Sequence, residues 1–210
     1  MRQQGSIDLF QYWNRLRAGR AAPGRTEIEP IDIKTLLADT FILEKDLRGD
    51  AVFRLAGTRV CATYGRELKG FVFPSLWHEK DRKLVARLTE SVFEEKAVVV
   101  IAYNARSQAG RTVPLELVLL PLDGGLESPR LLGIVSACEK PYWLGADPII
   151  ETMVESVRVI DPDREPLTNR PAVTVPPLVP GEDAFVKETR SKPSARRVRH
   201  LLVLDGGRNE

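Results

Sequence analysis

The side chains that most often perform catalysis or bind metals are few in this chain and lie apart. His78 is one of only two histidines, and Cys61 and Cys138 have no second ligand beside them, as a zinc or redox site would require. No pair of acidic residues has the spacing of a general acid and base. The glycine pair at 124–125 lacks the lysine and spacing of a phosphate-binding loop. We therefore predict no catalytic residues, no metal site and no enzymatic activity; no cofactor can be assigned.

Arginines near the N-terminus form the most prominent polar set. Arg17, Arg20 and Arg25 follow Trp13 within a short stretch. Guanidinium groups bind carboxylates and phosphates through paired hydrogen bonds. We predict these four residues as candidates for contact with an anion or with the acidic surface of a partner. Salt bridges to the acidic residues between positions 27 and 32, or plain solvation, are the alternative.

Composition limits the class of protein. The chain has 210 residues, 43% of them hydrophobic and 29% charged, which fits one globular domain with extensions. A net charge of +2 gives no reason to expect nucleic acid or a membrane as the main partner. Its longest apolar run, 97–103, is far below the ~20 residues that span a bilayer. With no signal-peptide pattern and only two cysteines, we expect a cytoplasmic protein.

Helix-like and strand-like sequence patterns alternate along the first 141 residues. Residues 1–30 hold an aromatic-rich helix that Ser6 can cap, and such a short helix must dock on another surface. Periodicity predicts an amphipathic helix at 81–95 after several short helical turns. Strands are predicted at five places: 40–45, 51–56, 98–106, 113–122 and 130–138.

The connections decide the topology. Short loops join the last three strands, so these must be antiparallel, because a parallel crossover needs a dozen or more residues. The class is α+β, with a five-stranded antiparallel sheet flanked by short helices and the N-terminal helix. Residues 98–101 and 117–120 are apolar at successive positions, which predicts that both faces of the sheet are covered. The short helices can cover one face, and the N-terminal helix or a second subunit can cover the other.

The last third of the chain has a weaker pattern. Asp147 and Pro148 can start a helix, and we predict a C-terminal helix within 142–160. Seven prolines in 161–210 predict an extended or disordered tail, with one brief strand at 200–204. A basic cluster in this tail could bind RNA or anionic lipid weakly, but we expect it to be solvated.

The order of elements and several short motifs resemble the PAS (Per-Arnt-Sim) domain, and in particular a family of stand-alone bacterial PAS proteins. The similar segments lie at 12–17, 19–20, 53–58, 64–70 and 76–82. The resemblance covers roughly residues 7–141, so 31–141 is expected to be the PAS core. It implies a small regulatory protein that senses a ligand or contacts other proteins, often as a dimer.

The resemblance also implies a ligand pocket between the sheet and the short helices. Its expected lining in this sequence comprises Tyr64, Phe73, Trp77, Tyr103, Leu117 and Ile134. An apolar cavity with a few polar tips is typical of small-molecule sites. The alternative, which we favour, is that these side chains simply fill the core.

We therefore expect a non-enzymatic sensory or interaction protein that regulates a signalling partner by protein contact and forms a homodimer. Two other functions stay open. One is a small-molecule enzyme that uses the same cavity, which would need an ionisable group there, such as Tyr103 beside a carboxylate. The other is a nucleic-acid accessory protein that acts through the basic tail, although nucleic acid is not the expected partner.

Overall fold

The computed structural model describes residues 1–124 and 129–163, together with the backbone of two short strands near the C-terminus. The chain divides into two compact units, Met1–Asn169 and Arg170–Glu210. The first unit contains every helix and six of the strands in the described residues. In the second, Arg196–Val198 and Leu201–Val203 pair as an antiparallel hairpin. The remainder of the predicted tail beyond 163 lies outside the described residues.

Three α-helices and six strands build the first unit. The helices are α1 (Gln4–Arg17), α2 (Thr58–Thr63) and α3 (Glu79–Glu94). The strands are β1 (Thr40–Lys45), β2 (Ala51–Ala56), β3 (Val98–Ser107), β4 (Thr112–Leu122), β5 (Arg130–Ala137) and β6 (Ile149–Ile160). Short 3-10 helices at Arg25–Glu27, Pro30–Ile33, Leu37–Asp39 and Phe73–Leu76 complete the connections.

The strands form one antiparallel sheet in the order β2-β1-β5-β4-β3-β6. This confirms the predicted α+β class, the antiparallel topology and the PAS-type order of elements. The bounds of β1 and β2 are those predicted from the sequence. The sheet has six strands rather than the predicted five, because β6 pairs with the free edge of β3.

The C-terminal helix predicted within 142–160 was wrong. Residues 149–160 form a strand that pairs with β3 along nearly its full length. Asp147 and Pro148 gave a local helix-start signal, but the segment after them is rich in β-branched side chains, which favour a strand. The open edge of β3 supplies backbone partners over ten register positions, so long-range hydrogen bonding overrides the local signal.

Both faces of the sheet are covered, as predicted. On one face, Phe73, Trp77 and residues of α3 pack over β1, β3 and β4. On the other, Leu9, Phe10 and Trp13 of α1 are buried against β3, β4 and β5. Helix α1 of the same chain therefore provides the cover for which a second subunit was the alternative. The homodimer stays a prediction, but an uncovered sheet face no longer supports it.

Helix starts depend on partners distant in sequence. The predicted cap by Ser6 was wrong, because α1 already begins at Gln4 and the Ser6 hydroxyl donates to Ser136 Oγ at 3.1 Å. The buried carboxylate of Glu116 on β4 instead accepts the backbone N–H groups of Arg2 and Gln3, at 2.8 and 3.1 Å. A negative charge at this position stabilises the N-terminus of a helix.

Candidate functional site

A row of aromatic rings fills the space between the sheet and the short helices. Phe41 contacts Phe53 at 5.4 Å between ring centroids, and Phe53 contacts Phe73 at 5.6 Å. Phe73 then contacts Trp77 at 6.1 Å, and Trp77 contacts Tyr103 at 4.9 Å. These separations are typical of favourable aromatic pairs. The row joins β1 and β2 at one end to β3 at the other.

Five of the six predicted pocket residues come together at this face. Phe73, Trp77, Tyr103 and Leu117 are buried in one cluster, and half-buried Tyr64 packs against it. They touch and fill the interior, which is the core-filling alternative considered for them.

Ile134, the sixth, was placed wrongly. It belongs to the cluster beneath α1 on the opposite face of the sheet. Alternate residues of a strand point to opposite faces, so its neighbours Val135 and Ala137 on β5 contact the aromatic cluster instead.

Two polar atoms in the aromatic row are buried without a hydrogen bond. Within the described part of the chain, Trp77 Nε1 and Tyr103 Oη have no partner. Tyr103 is 0% exposed and Trp77 is 2% exposed. An unsatisfied buried polar group costs about 1–3 kcal/mol, and most such groups in proteins find a partner. The end of the row at Trp77 and Tyr103 is therefore polar in an otherwise apolar surrounding.

The neighbouring phenol of Tyr64 adds a second hydroxyl at this end of the row. Burial raises the pKa of Tyr64 to about 12 and raises the pKa of Tyr103 well above its usual value. The Tyr64 and Tyr103 hydroxyls lie close enough for each to influence the other's pKa, although Tyr103 Oη makes no hydrogen bond of good geometry within the described residues. Both groups are therefore neutral phenols at ordinary pH.

An enzyme in this cavity would need an ionisable group beside Tyr103. After burial, the groups that influence the pKa of Tyr103 are Tyr64 and Cys138, and no carboxylate is among them. In the described residues, the arrangement suits hydrogen bonding to a polar group more than proton transfer at neutral pH.

The backbone around Trp77 is tied to β6. The Thr152 hydroxyl donates to the Leu76 carbonyl at 2.8 Å, and His78 N donates to the Thr152 carbonyl at 2.9 Å. Asp81 accepts the N–H of Val154 at 2.9 Å. His78 also caps α3 through Nδ1, which accepts from Lys80 N at 3.3 Å. The start of α3 therefore holds the outer edge of β6 opposite Tyr103, whose register partner on β6 is Val154.

Two of the predicted partner-contact residues are internal. Trp13 is 0% exposed. Arg17 lies under it at 5.7 Å from the indole ring, and its guanidinium is bound by Asn14, by the Arg20 carbonyl and by Asp163 at 2.6 Å. Neither presents a free surface to a partner, so this part of the prediction was wrong. The positive charge of Arg17 in the last turn of α1 complements the helix dipole, which offsets part of the cost of burying it.

The other two arginines are at the surface. Arg20 contacts both carboxylate oxygens of Glu27, at 2.7 and 3.0 Å, which is the salt bridge considered as the alternative. Arg25 is exposed, and its backbone N–H donates to the Asp123 carbonyl. Of the four predicted contact residues, Arg25 therefore stays available for a ligand or partner.

A cleft of about 610 Å³ lies at the end of the sheet and was not predicted. It opens where β1 begins, because the pairing of β1 with β5 ends at Thr40 and Ile134 while β5 runs on to Ala137. Ile134 lines this cleft rather than the aromatic cavity. Asp39 and Arg59 form an ion pair in it at 2.5 Å, and burial raises the pKa of Asp39.

Other chemistry is limited in the described residues. Their histidines, cysteines and acidic residues form no cluster of three or more that could bind a metal ion. Cys61 is half-buried and Cys138 is exposed. None of the helices in the described part of the chain combines the length and the apolarity that a membrane span requires.

Comparison with known proteins gives one family. The family model of the PAS domain matches residues 1–136, which is more than half of the chain. A search among curated proteins found no match. The matched range holds α1 and the first five strands almost to the end of β5, and it leaves β6 outside.

Proposed function

The chain belongs to the PAS domain family, and on this premise we propose that it is a non-enzymatic sensory protein that regulates a signalling partner through protein contact. PAS domains are modules of sensing and signalling. A sensory protein without catalytic activity transmits a signal by a change in shape or dynamics that a partner recognises.

The observation that carries the proposal is the unsatisfied pair formed by Trp77 Nε1 and Tyr103 Oη. An indole N–H can only donate, whereas a phenol can donate or accept. A small apolar molecule with a carbonyl, hydroxyl or water-like oxygen would give either group a partner. We propose such a molecule as the signal, bound at the Tyr103 end of the aromatic row.

The conformational effect of ligand binding at this position would be transmitted to the surface through β6. Tyr103 is paired with Val154, and the backbone next to Trp77 holds Thr152. A ligand that moves Trp77 must also move the start of α3 or weaken its bonds to β6. The ligand shifts the population of conformations only to the extent that it binds two of them with different affinity.

Native mass spectrometry of protein purified from its source tests the proposal. We expect a retained small molecule of constant mass, and we expect Tyr103→Phe and Trp77→Phe to weaken its affinity about tenfold, the loss of one good hydrogen bond, and so to lower the bound fraction. Tyr142→Phe, at an exposed tyrosine, is the matched control and should leave the bound fraction unchanged.

The stability of the same variants tests the case in which no ligand is bound. If nothing binds, Tyr103→Phe removes an unsatisfied buried hydroxyl and should stabilise the protein. A wild-type mass equal to the chain alone, together with a more stable Tyr103→Phe variant, would overturn the ligand proposal. Regulation by protein contact would then have to proceed without a small molecule.

A further inference from the structure

Two arginines from distant parts of the sequence contact one carboxylate, and a third arginine lies near one of them. Glu44 on β1 is the register partner of Arg130 on β5, and its carboxylate contacts both Arg130 and Arg54 of β2. Arg25 lies close enough for its positive charge to lower the pKa of Arg130. We call Arg25, Arg54 and Arg130, with Glu44, the arginine cluster.

The contacts within the arginine cluster are long. Glu44 Oε2 lies 3.3 Å from Arg54 Nη1 and 3.3 Å from Arg130 Nη2. Other arginine–carboxylate pairs of the same protein are closer, with Arg17–Asp163 at 2.6 Å and Arg20–Glu27 at 2.7 Å. One carboxylate is therefore shared between two guanidinium groups and matches neither of them well, since strong pairs of this kind lie at about 2.7–2.9 Å.

Arg130 is the least satisfied member. Its side chain is only 11% exposed, and in the described residues its Nε has no hydrogen-bond partner. Burial lowers the pKa of Arg130, and repulsion from Arg54 and Arg25 lowers that pKa further. A buried guanidinium with a free N–H is costly unless an anion completes its hydrogen bonds.

A groove leads to two members of this cluster, Glu44 and Arg54. Its volume is about 230 Å³, and Glu44, Arg54 and Lys69 are among the residues that line it. Lys69 is exposed and adds a further positive charge. A small anion can therefore approach Arg54 from solvent without any movement of the sheet.

We propose that the arginine cluster binds a dianionic phosphoryl group. Three arginines and one glutamate leave a local charge of +2, which matches the charge of about −1.5 to −2 that a phosphate monoester carries at neutral pH. Phosphate oxygens fit the planar fork of a guanidinium, and the buried Nε of Arg130 is a donor that has no partner within the described residues. The group has two possible sources, a small phosphate ester and a phosphorylated side chain of a partner protein.

Calorimetric titration of the full chain with inorganic phosphate, against chloride at equal ionic strength, tests the site. We expect Arg54→Gln and Arg25→Gln to weaken phosphate binding about tenfold, the usual loss of one charge-assisted contact. Arg54→Lys keeps the positive charge but loses the paired hydrogen bonds of the planar guanidinium. This variant should therefore also bind phosphate several-fold more weakly. Both arginines are exposed, so these variants are expected to fold.

Arg106→Gln is the matched control, because it removes the same charge from another exposed ion pair, with Glu151. It should bind phosphate like the wild type. A second measurement uses Glu44→Gln, which leaves the arginines without a counter-charge; phosphate should raise its unfolding temperature more than that of the wild type.

The sources are distinguished with a phosphoserine peptide that has no acidic residue. Tighter binding of this peptide than of inorganic phosphate assigns the site to a phosphorylated partner, and equal binding assigns it to a small ligand. The proposal is overturned if phosphate acts no differently from chloride, or if Arg106→Gln weakens binding as much as Arg54→Gln.

Discussion

The indole Nε1 of Trp13 donates a hydrogen bond to the carbonyl oxygen of Pro121 at 2.7 Å, and both atoms lie in the interior. This bond joins the middle of α1 to β4. At the N-terminal end of α1, the carboxylate of Glu116 on β4 accepts two backbone N–H groups. Helix α1 is therefore bound to the sheet by polar contacts as well as by its apolar face, and it is part of the folded domain.

Replacing Trp13 tests how much this bond contributes. Trp13→Phe keeps an aromatic ring but leaves the Pro121 carbonyl buried and unsatisfied, so the free energy of unfolding should fall by about 1–3 kcal/mol. Urea denaturation measures the change. Tyr142→Phe, at a side chain exposed to 89%, is the control. An unchanged midpoint for Trp13→Phe would show that water satisfies the carbonyl.

Deleting residues 1–18 should unfold the domain rather than only separate subunits. The deletion removes Leu9, Phe10 and Trp13 and exposes their apolar neighbours on β4 and β5. Each of these side chains contributes about 1.5–3 kcal/mol when buried, and their sum is comparable to the whole stability of a domain. Circular dichroism of the truncated chain should show no cooperative transition. A homodimer is instead tested by sedimentation of the full chain; a truncated chain that melts cooperatively would contradict this account of α1.

A glycine on β5 has a steric role that the sequence does not reveal. A Cβ at Gly133 would collide with the ring of Phe41, which crosses it from the neighbouring strand β1. Gly133→Ala should therefore destabilise the protein by about 1–3 kcal/mol, as overpacking of a core usually does. At Gly24 an added Cβ would meet its nearest atom at 3.6 Å, so Gly24→Ala is the control in the same thermal unfolding experiment. Equal midpoints for the two variants would show that Phe41 moves freely.

The sequence was most informative where local pattern decides structure. Alternation and turn residues predicted β1 and β2 residue by residue, and successive apolar positions in β3 and β4 predicted a sheet buried on both faces. The segment at 149–160 was misjudged because its local start signal is helical, while its partner, β3, lies far away in the sequence.

The candidate sites depend on contacts between residues that lie far apart in the sequence. The row that ends at Trp77 and Tyr103 could be anticipated from a family resemblance, but the missing hydrogen bonds could not. Arg25 was singled out as a possible anion contact, whereas Arg54 and Arg130 were not, because only the pairing of β1 with β2 and β5 brings them to Glu44. Pairing of strands that are distant in sequence is the information that one sequence does not supply.

Arg17 and Arg20 should differ strongly in their effect on stability. Arg17 is 5% exposed, packs on Trp13 and makes hydrogen bonds to three residues, whereas Arg20 is 51% exposed. Arg17→Ala removes buried packing and leaves partners unsatisfied, so we expect a loss of about 2–4 kcal/mol. Arg20→Ala should cost much less than Arg17→Ala, because exposed ion pairs contribute little to stability. Chemical denaturation of both variants compares them, and similar losses would contradict the internal role of Arg17.

Stability should fall at alkaline pH because of the two buried phenols. The pKa of Tyr64 is raised to about 12 and that of Tyr103 is raised well above its usual value, whereas an unfolded chain ionises its tyrosines near pH 10. Above about pH 10 the unfolded state therefore binds fewer protons than the folded state, and the free energy of unfolding decreases as pH rises. Below pH 10 these two groups should contribute no pH dependence.

Urea denaturation at a series of pH values, with tyrosinate absorbance as a second signal, measures the effect. The double variant Tyr64→Phe/Tyr103→Phe should lose most of the decrease between pH 10 and 12. Tyr142→Phe should keep it, because that side chain is exposed. A decrease of equal size in the double variant would place the cause in lysines and arginines, and would mean that the phenols at the end of the aromatic row are open to solvent.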